Sequence, residues 1–163
     1  MIEIAILYVL NKYDLTIYRL SKIIDETFFA YIKTSSGTVN PALKRLERLG
    51  CVEFVSKMSD GGMLSKIYSI TKTGKEHLAD LLLSFESKNP FYVVNEARIV
   101  LCCSDFLSLS QYVEFKENLL NNLELYKIKL QKGLNDEFVN LNDIQRKTVQ
   151  ITIKEVDSLI ETL

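Results

Sequence analysis

Apolar positions in this chain recur first at helical spacing, then at strand spacing, then at helical spacing again, and that order predicts the architecture. An apolar run at Ile4–Leu10 marks a first helix over Ile2–Leu10. A second is predicted over Thr16–Phe28, with Thr16 as N-cap and Leu20, Ile23 and Ile24 on one side. In the segment Ser36–Gly50, at about 100° per residue, Val39, Ala42, Leu43, Leu46 and Leu49 share one arc. Lys44, Arg45, Arg48, Asn40 and Thr38 share the opposite arc, with only Glu47 near it. One face of this third helix is built to pack and the other to meet anions.

The period then changes. Val52–Ser56 and Ser65–Thr71 alternate as short strands do, and Asp60-Gly61-Gly62 between them signals a turn. A basic helix followed at once by a hairpin is the layout of a winged helix-turn-helix, which assigns residues 1–84 to that unit. At the start of the third helix, local rules place Asn40 at the N-cap and Pro41 at the first helical position.

Residues 85–163 read as helical. Tyr112, Phe115, Leu119, Leu123, Tyr126 and Leu130 form one seam, and Val149, Ile153, Val156, Ile160 and Leu163 form another. Ser108 with Gln111 can cap the first of these helices, Gly133 to Asn142 supplies a break, and Asn142 or Asp143 can start the second. Such seams ask for a partner, which is either a second copy of the chain or an intramolecular helix pair folded over the first unit. The fold class predicted is therefore mainly α with a small β-hairpin wing: an N-terminal winged helix-turn-helix and a C-terminal helical dimerisation region.

Composition narrows the function. A net charge of −1 is not that of an overtly nucleic-acid-binding protein. Within Lys33–Lys57, however, five basic residues face two acidic ones, so the positive field is local. The chain offers no activated nucleophile and no glycine-rich phosphate loop, and no cofactor is expected. His77, in a predicted helix with Thr73 and Glu76 at capping-box spacing, reads as a surface residue. The three cysteines, Cys51, Cys102 and Cys103, lack Cys-x-x-Cys spacing and read as reduced core residues. Ile4–Leu10 is far shorter than the roughly 20 residues of a membrane span, and no targeting segment precedes it, so a cytoplasmic protein is expected.

The words EIAILYVL at Glu3–Leu10, Tyr18-Arg19-Leu20, SSGTVNPALKRLERLGCVE at Ser35–Glu53 and KIYSITKTGKEHL at Lys66–Leu78 resemble the PadR-like transcriptional regulators. The likeness spans the winged-helix half in wording and the second half in pattern alone. Asn40 stands where members usually carry Tyr, Ile17 where they carry Gly, and the wing around Met63-Leu64-Ser65-Lys66 is less basic. The resemblance implies a homodimer, usually a repressor, that sets two recognition helices into successive major grooves of double-stranded DNA at an inverted repeat. It also implies that the third helix begins near Ser35 or Ser36 with Pro41 within the early turns, the start we favour over the local one. Backbone N–H groups and hydroxyls of Ser35, Ser36 and Thr38 would then meet phosphate. Asn40 and Lys44 would approach base edges or nearby phosphates, Arg45 and Arg48 would add charge, and Lys57 and Lys66 would touch the backbone beside the wing.

Arg45 and Arg48 read equally well as the solvated side of a packed helix. The aromatic residues Phe28, Phe29, Tyr31, Phe91, Tyr92, Tyr112 and Tyr126 suit a core, or a pocket for the small aromatic effector that some relatives sense. A protein–protein module that keeps the fold without binding DNA is the alternative function, favoured by the near-neutral charge, the poor wing and Asn40.

Overall fold

The computed structural model describes residues 1–58, 64–136, 138 and 140–163, so the predicted Asp60-Gly61-Gly62 turn and Met63 lie outside the described residues. Helix α1, Ile2–Lys12, is central because its apolar residues go all the way round: Ile4 through Leu10 are all buried. The short strand β1, Leu15–Thr16, leads into α2, Ile17–Thr27, whose N-cap is Thr16, the side chain accepting the Arg19 backbone N–H at 3.4 Å. Helix α3 spans Ser36–Arg48 with Ser35 as N-cap and Pro41 inside, so the earlier start holds. Val39, Ala42, Leu43 and Leu46 are buried, whereas Leu49 caps the C-terminus and is exposed, outside the expected arc.

Strands β2, Val52–Met58, and β3, Leu64–Ile70, pair antiparallel in the register Val52↔Ile70 to Met58↔Leu64. Strand β1 adds to the far side of β3 through Leu15↔Tyr68 and Thr16↔Ile67, giving the order β1-β3-β2. Two residues carry no legible alternation, so this third strand was not predicted. Helix α4, Lys72–Leu83, follows, capped by Thr71 and not by the predicted Thr73 with Glu76. Thr71 accepts the Gly74 N–H at 3.0 Å and donates its hydroxyl to the Gly50 carbonyl at 2.6 Å, a contact 21 residues back that local spacing does not reveal.

Helix α5, Val93–Cys102, and a 3-10 turn, Ser104–Phe106, lead to α6, Leu109–Asn135, and α7, Asp143–Thr162. The Ser108–Gln111 and Asn142–Gln145 caps are both present. Gly133 lies inside α6, so the break begins three residues later than expected, at Asp136. The ion pair Lys127–Asp157 at 2.6 Å and the Arg146 hydrogen bond to the Leu134 carbonyl at 2.9 Å show α6 and α7 running antiparallel. Helix α6 is also tied to the first half: the Asn118 amide donates to the Leu83 and Phe85 carbonyls at 2.9 and 3.0 Å, and Asn122 to Phe85 at 2.8 Å. These amides satisfy carbonyls that the end of α4 leaves open.

One hydrophobic cluster therefore runs from α1 to Val156. Phe115, Leu119, Leu123 and Val156, expected at a dimer seam, are buried inside the single chain. Tyr112, Tyr126, Val149, Ile153 and Ile160 are half-buried. Heptad-like spacing records that a side chain needs apolar cover and not whose, and here α4, α5 and α7 provide much of it. Cys51 and Cys103 are buried as expected, whereas Cys102 is exposed. Although the residue is exposed, partial desolvation of its sulfur and, secondarily, Asp105 push the Cys102 thiol up, which makes it a poor nucleophile at neutral pH.

Candidate nucleic-acid interface

The exposed side of α3 is its candidate working face. Gly37, Pro41, Lys44 and Arg48 lie along its centre, diametrically opposite the buried Val39, Ala42, Leu43 and Leu46. Lys44 and Arg48 are one turn apart and border one shallow depression together with Glu47. Pro41 has no N–H to offer the Gly37 carbonyl four residues back, and both residues are exposed. At the N-terminus the Ser35 N–H donates to Thr38 Oγ1 at 3.0 Å, and the Thr38 hydroxyl lies 2.9 Å from the Ser35 carbonyl. Ser36 opens the helix, and its side chain lies outside what is described.

The flanks of α3 differ. Arg45 turns toward α1, where its Nε donates to Glu3 Oε1 at 2.8 Å. Its charge is thus already partnered, and it stands apart from Lys44 and Arg48. Asn40 lies on the other flank and borders a cleft of about 800 Å³ between α2 and α3. Tyr18, Ser21, Lys22, Asp25 and Phe29 line the same cleft. Tyr18 and Phe29 are 76% and 83% exposed, an unusual display for large apolar rings beside a polar helix face. Tyr18 and Lys22 went unrecognised as site residues. Their signal was the polar side of α2, one helical turn apart and opposite Leu20 and Ile24.

The wing separates its two lysines. Lys57 is paired across the strands with Ser65 and Lys66 with Ser56, so alternation sends them to opposite faces. The Lys66 ammonium lies 3.6 Å from the centroid of the Phe54 ring, held by a cation–π contact. Met58 and Leu64, the last described residues of the hairpin, are an exposed apolar pair.

Among the aromatic residues Phe28 is fully buried, with the Tyr8 ring edge-on at 6.1 Å, while Phe91 and Tyr92 are exposed. A cleft of about 390 Å³ lies between the link from α2 to α3 and helix α5, lined by Ile2, Tyr31, Lys33, Tyr92, Asn95 and Glu96 among others. Among the described residues no three His, Cys, Asp or Glu side chains are grouped to hold a metal ion. No helix among them is long and apolar enough to cross a membrane.

Comparison with solved structures finds similarity to TA0346 of Thermoplasma acidophilum, at 30% identity over 49% of this chain and 75% of that one, with a TM-score of 0.44. Bacillus subtilis PadR in complex with operator DNA is similar at 18% identity over 98% and 97% of the two chains, with a TM-score of 0.48. The same protein in complex with p-coumaric acid is similar at 18% identity over 98% and 89%, with a TM-score of 0.42. A search of curated proteins finds no match. Residues 6–80, spanning α1 to the first turns of α4, match the sequence profile of the Transcriptional regulator PadR-like family. Through this winged-helix half, the chain belongs to the PadR-like family of transcriptional regulators.

Proposed function

We propose that the protein acts in the cytoplasm as a homodimeric repressor, without enzymatic activity, that seats α3 in the major groove of an inverted-repeat operator. The observation that carries this reading is the α3 face itself, where Lys44 and Arg48 stand clear of the core, one turn apart, with Gly37 and Pro41 beside them. Small or flat residues there let the helix approach the groove, and the two cations neutralise phosphate. Ser35, Ser36 and Thr38 meet phosphate at the helix start, and Asn40 with Tyr18 addresses the strand that crosses the cleft between α2 and α3. Arg45, held by Glu3, adds little net charge to the face that meets DNA. Lys57 and Lys66 contribute from different faces of the wing.

In this reading residues 1–84 bind DNA and 85–163 dimerise. The exposed Ile144 and Ile151 on α7 and Ile128 on α6, with the half-buried Tyr112, Val149, Ile153 and Ile160, supply the contact between copies. The test is binding to duplexes from upstream of the protein's own gene at two salt concentrations, with solution mass measured alongside. A dimer that binds one fragment and weakens steeply with salt is the expected result. A monomer that binds none removes the proposal and favours the protein–protein module, for which the apolar Met58–Leu64 wing pair is the supporting observation.

We further infer a small aromatic effector in the cleft between Tyr31 and Tyr92, where Lys33, Asn95 and Glu96 offer polar contacts beside two rings. Occupancy there would bear on Thr38, which lines the same cleft at the start of α3. A phenolic or polyaromatic compound is expected to raise the melting temperature by a few degrees. A flat screen against such compounds leaves the effector out.

A further inference from the structure

Helix-turn-helix units ordinarily fix the angle between their helices by brevity, with a turn of three or four residues. Here eight residues, Phe28 to Ser35, separate the end of α2 at Thr27 from the start of α3 at Ser36. A link of that length does not orient a recognition helix by itself, since each unfixed residue keeps its backbone freedom. Two anchors restrain it. At its start Phe28 is fully buried, and its carbonyl accepts the N–H groups of Tyr31 and Ile32 at 2.7 and 2.9 Å. At its end the Thr34 N–H donates to Asp25 Oδ1 at 2.6 Å, and the Thr34 hydroxyl donates to the Ser21 carbonyl at 3.3 Å.

We propose that Asp25 is a positioning residue for DNA recognition: its carboxylate clips the last stretch of the link to α2 and thereby sets the angle at which α3 meets the groove. The inference rests on the DNA-binding reading above. Thr34 immediately precedes Ser35, the N-cap of α3, so the clip acts on the residue from which the helix departs. The bond is charge-assisted, short and half-buried, the combination in which a hydrogen bond restrains most. Asp25 also borders the cleft that holds Tyr18 and Asn40, which makes its negative charge an unfavourable neighbour for phosphate. Asp25 therefore acts through geometry and not as a direct contact.

The experiment compares wild type, Asp25→Ala and Asp25→Asn as full-length protein by amide hydrogen exchange and by binding to operator and to random duplex. Asp25→Asn keeps an oxygen that can accept the Thr34 N–H. Asp25→Ala is expected to lose at least tenfold in protection at Thr34 and the first turn of α3, and to lose roughly tenfold in the ratio of specific to random affinity. Asp25→Asn keeps both. Unchanged protection in Asp25→Ala overturns the clip, as does equal damage in Asp25→Asn, which would assign the effect to charge. Lost protection with an unchanged affinity ratio overturns the positioning role. Should Asp25→Ala fail to fold, Asp25→Ser, whose side chain is too short to span the bond, replaces it. If wild type binds no DNA, the DNA-binding reading and the positioning role it supports both fail, while the exchange data still decide whether the clip exists.

Discussion

The double substitution Lys44→Ala/Arg48→Ala is expected to weaken operator binding by about 30- to 1000-fold and to lower the dependence of log affinity on log salt by roughly two. Both residues project from the centre of the exposed α3 face. Each neutralised phosphate releases close to one counterion, so the slope counts contacts while the affinity weighs them. Arg45→Ala is the informative control. Its guanidinium is engaged by Glu3 at 2.8 Å, and removing it should move the slope by much less than one unit. Equal slopes for wild type and the double variant would place the DNA elsewhere on the protein. A loss confined to one operator sequence, with the slope unchanged, would mean that Lys44 and Arg48 read bases and leave phosphates alone.

Gly74→Ala is expected to destabilise the protein by about 3 kcal/mol or more, beyond the usual cost of overpacking because the obstruction is backbone. A Cβ at Gly74 would lie 2.0 Å from the Cys51 carbonyl oxygen, 2.9 Å from its carbon and 2.7 Å from Ile70 Cγ1. The Ile70 methylene can swing aside, but the Cys51 carbonyl cannot, because it accepts the Thr71 N–H at 3.0 Å. Alanine gains roughly 1 kcal/mol of helix propensity over glycine, too little to offset the clash. The exit of α3, the base of the wing and the start of α4 meet at this point, joined also by the Thr71 hydroxyl on the Gly50 carbonyl. Gly50 itself sits at φ 70, a left-handed conformation natural to glycine after a helix. A urea midpoint for Gly74→Ala at or above that of wild type would show that α4 can shift without cost.

Where periodicity alone carries information, the chain was legible. The apolar run of α1, the amphipathic α3 and the alternation of β2 and β3 are consequences of fixed helical and strand repeats, so their existence and inner faces could be read residue by residue. The caps Thr16, Ser108 and Asn142 were legible for the same reason, since each acts on a backbone N–H three residues away. Gly74 was visible as part of a motif, but its reason was not, because the atom that excludes a side chain is a carbonyl 23 positions earlier in the chain.

The working surface was half legible. Lys44 and Arg48 stand where the helical repeat puts them, on the side away from the core. Arg45 belongs to the same polar arc, yet Glu3 claims it from 42 residues away. Tyr18 and Phe29 gain meaning only when α2 lies across α3, and the two wing lysines divide only when the strand register is known. The same limit governs the C-terminal seams. Phe115, Leu119, Leu123 and Val156 have the spacing of an interface between copies, and the spacing is real, but the chain covers them itself.

The sequence by itself thus determined most of the helices, the two wing strands, most of their buried faces and the family, because these follow from repeats and contacts a few residues long. Tertiary structure alone decided which partner covers a seam, which cation of α3 is paired and which groups tie down the link between α2 and α3. Those depend on groups brought together from far apart in the chain, and local spacing carries no record of them.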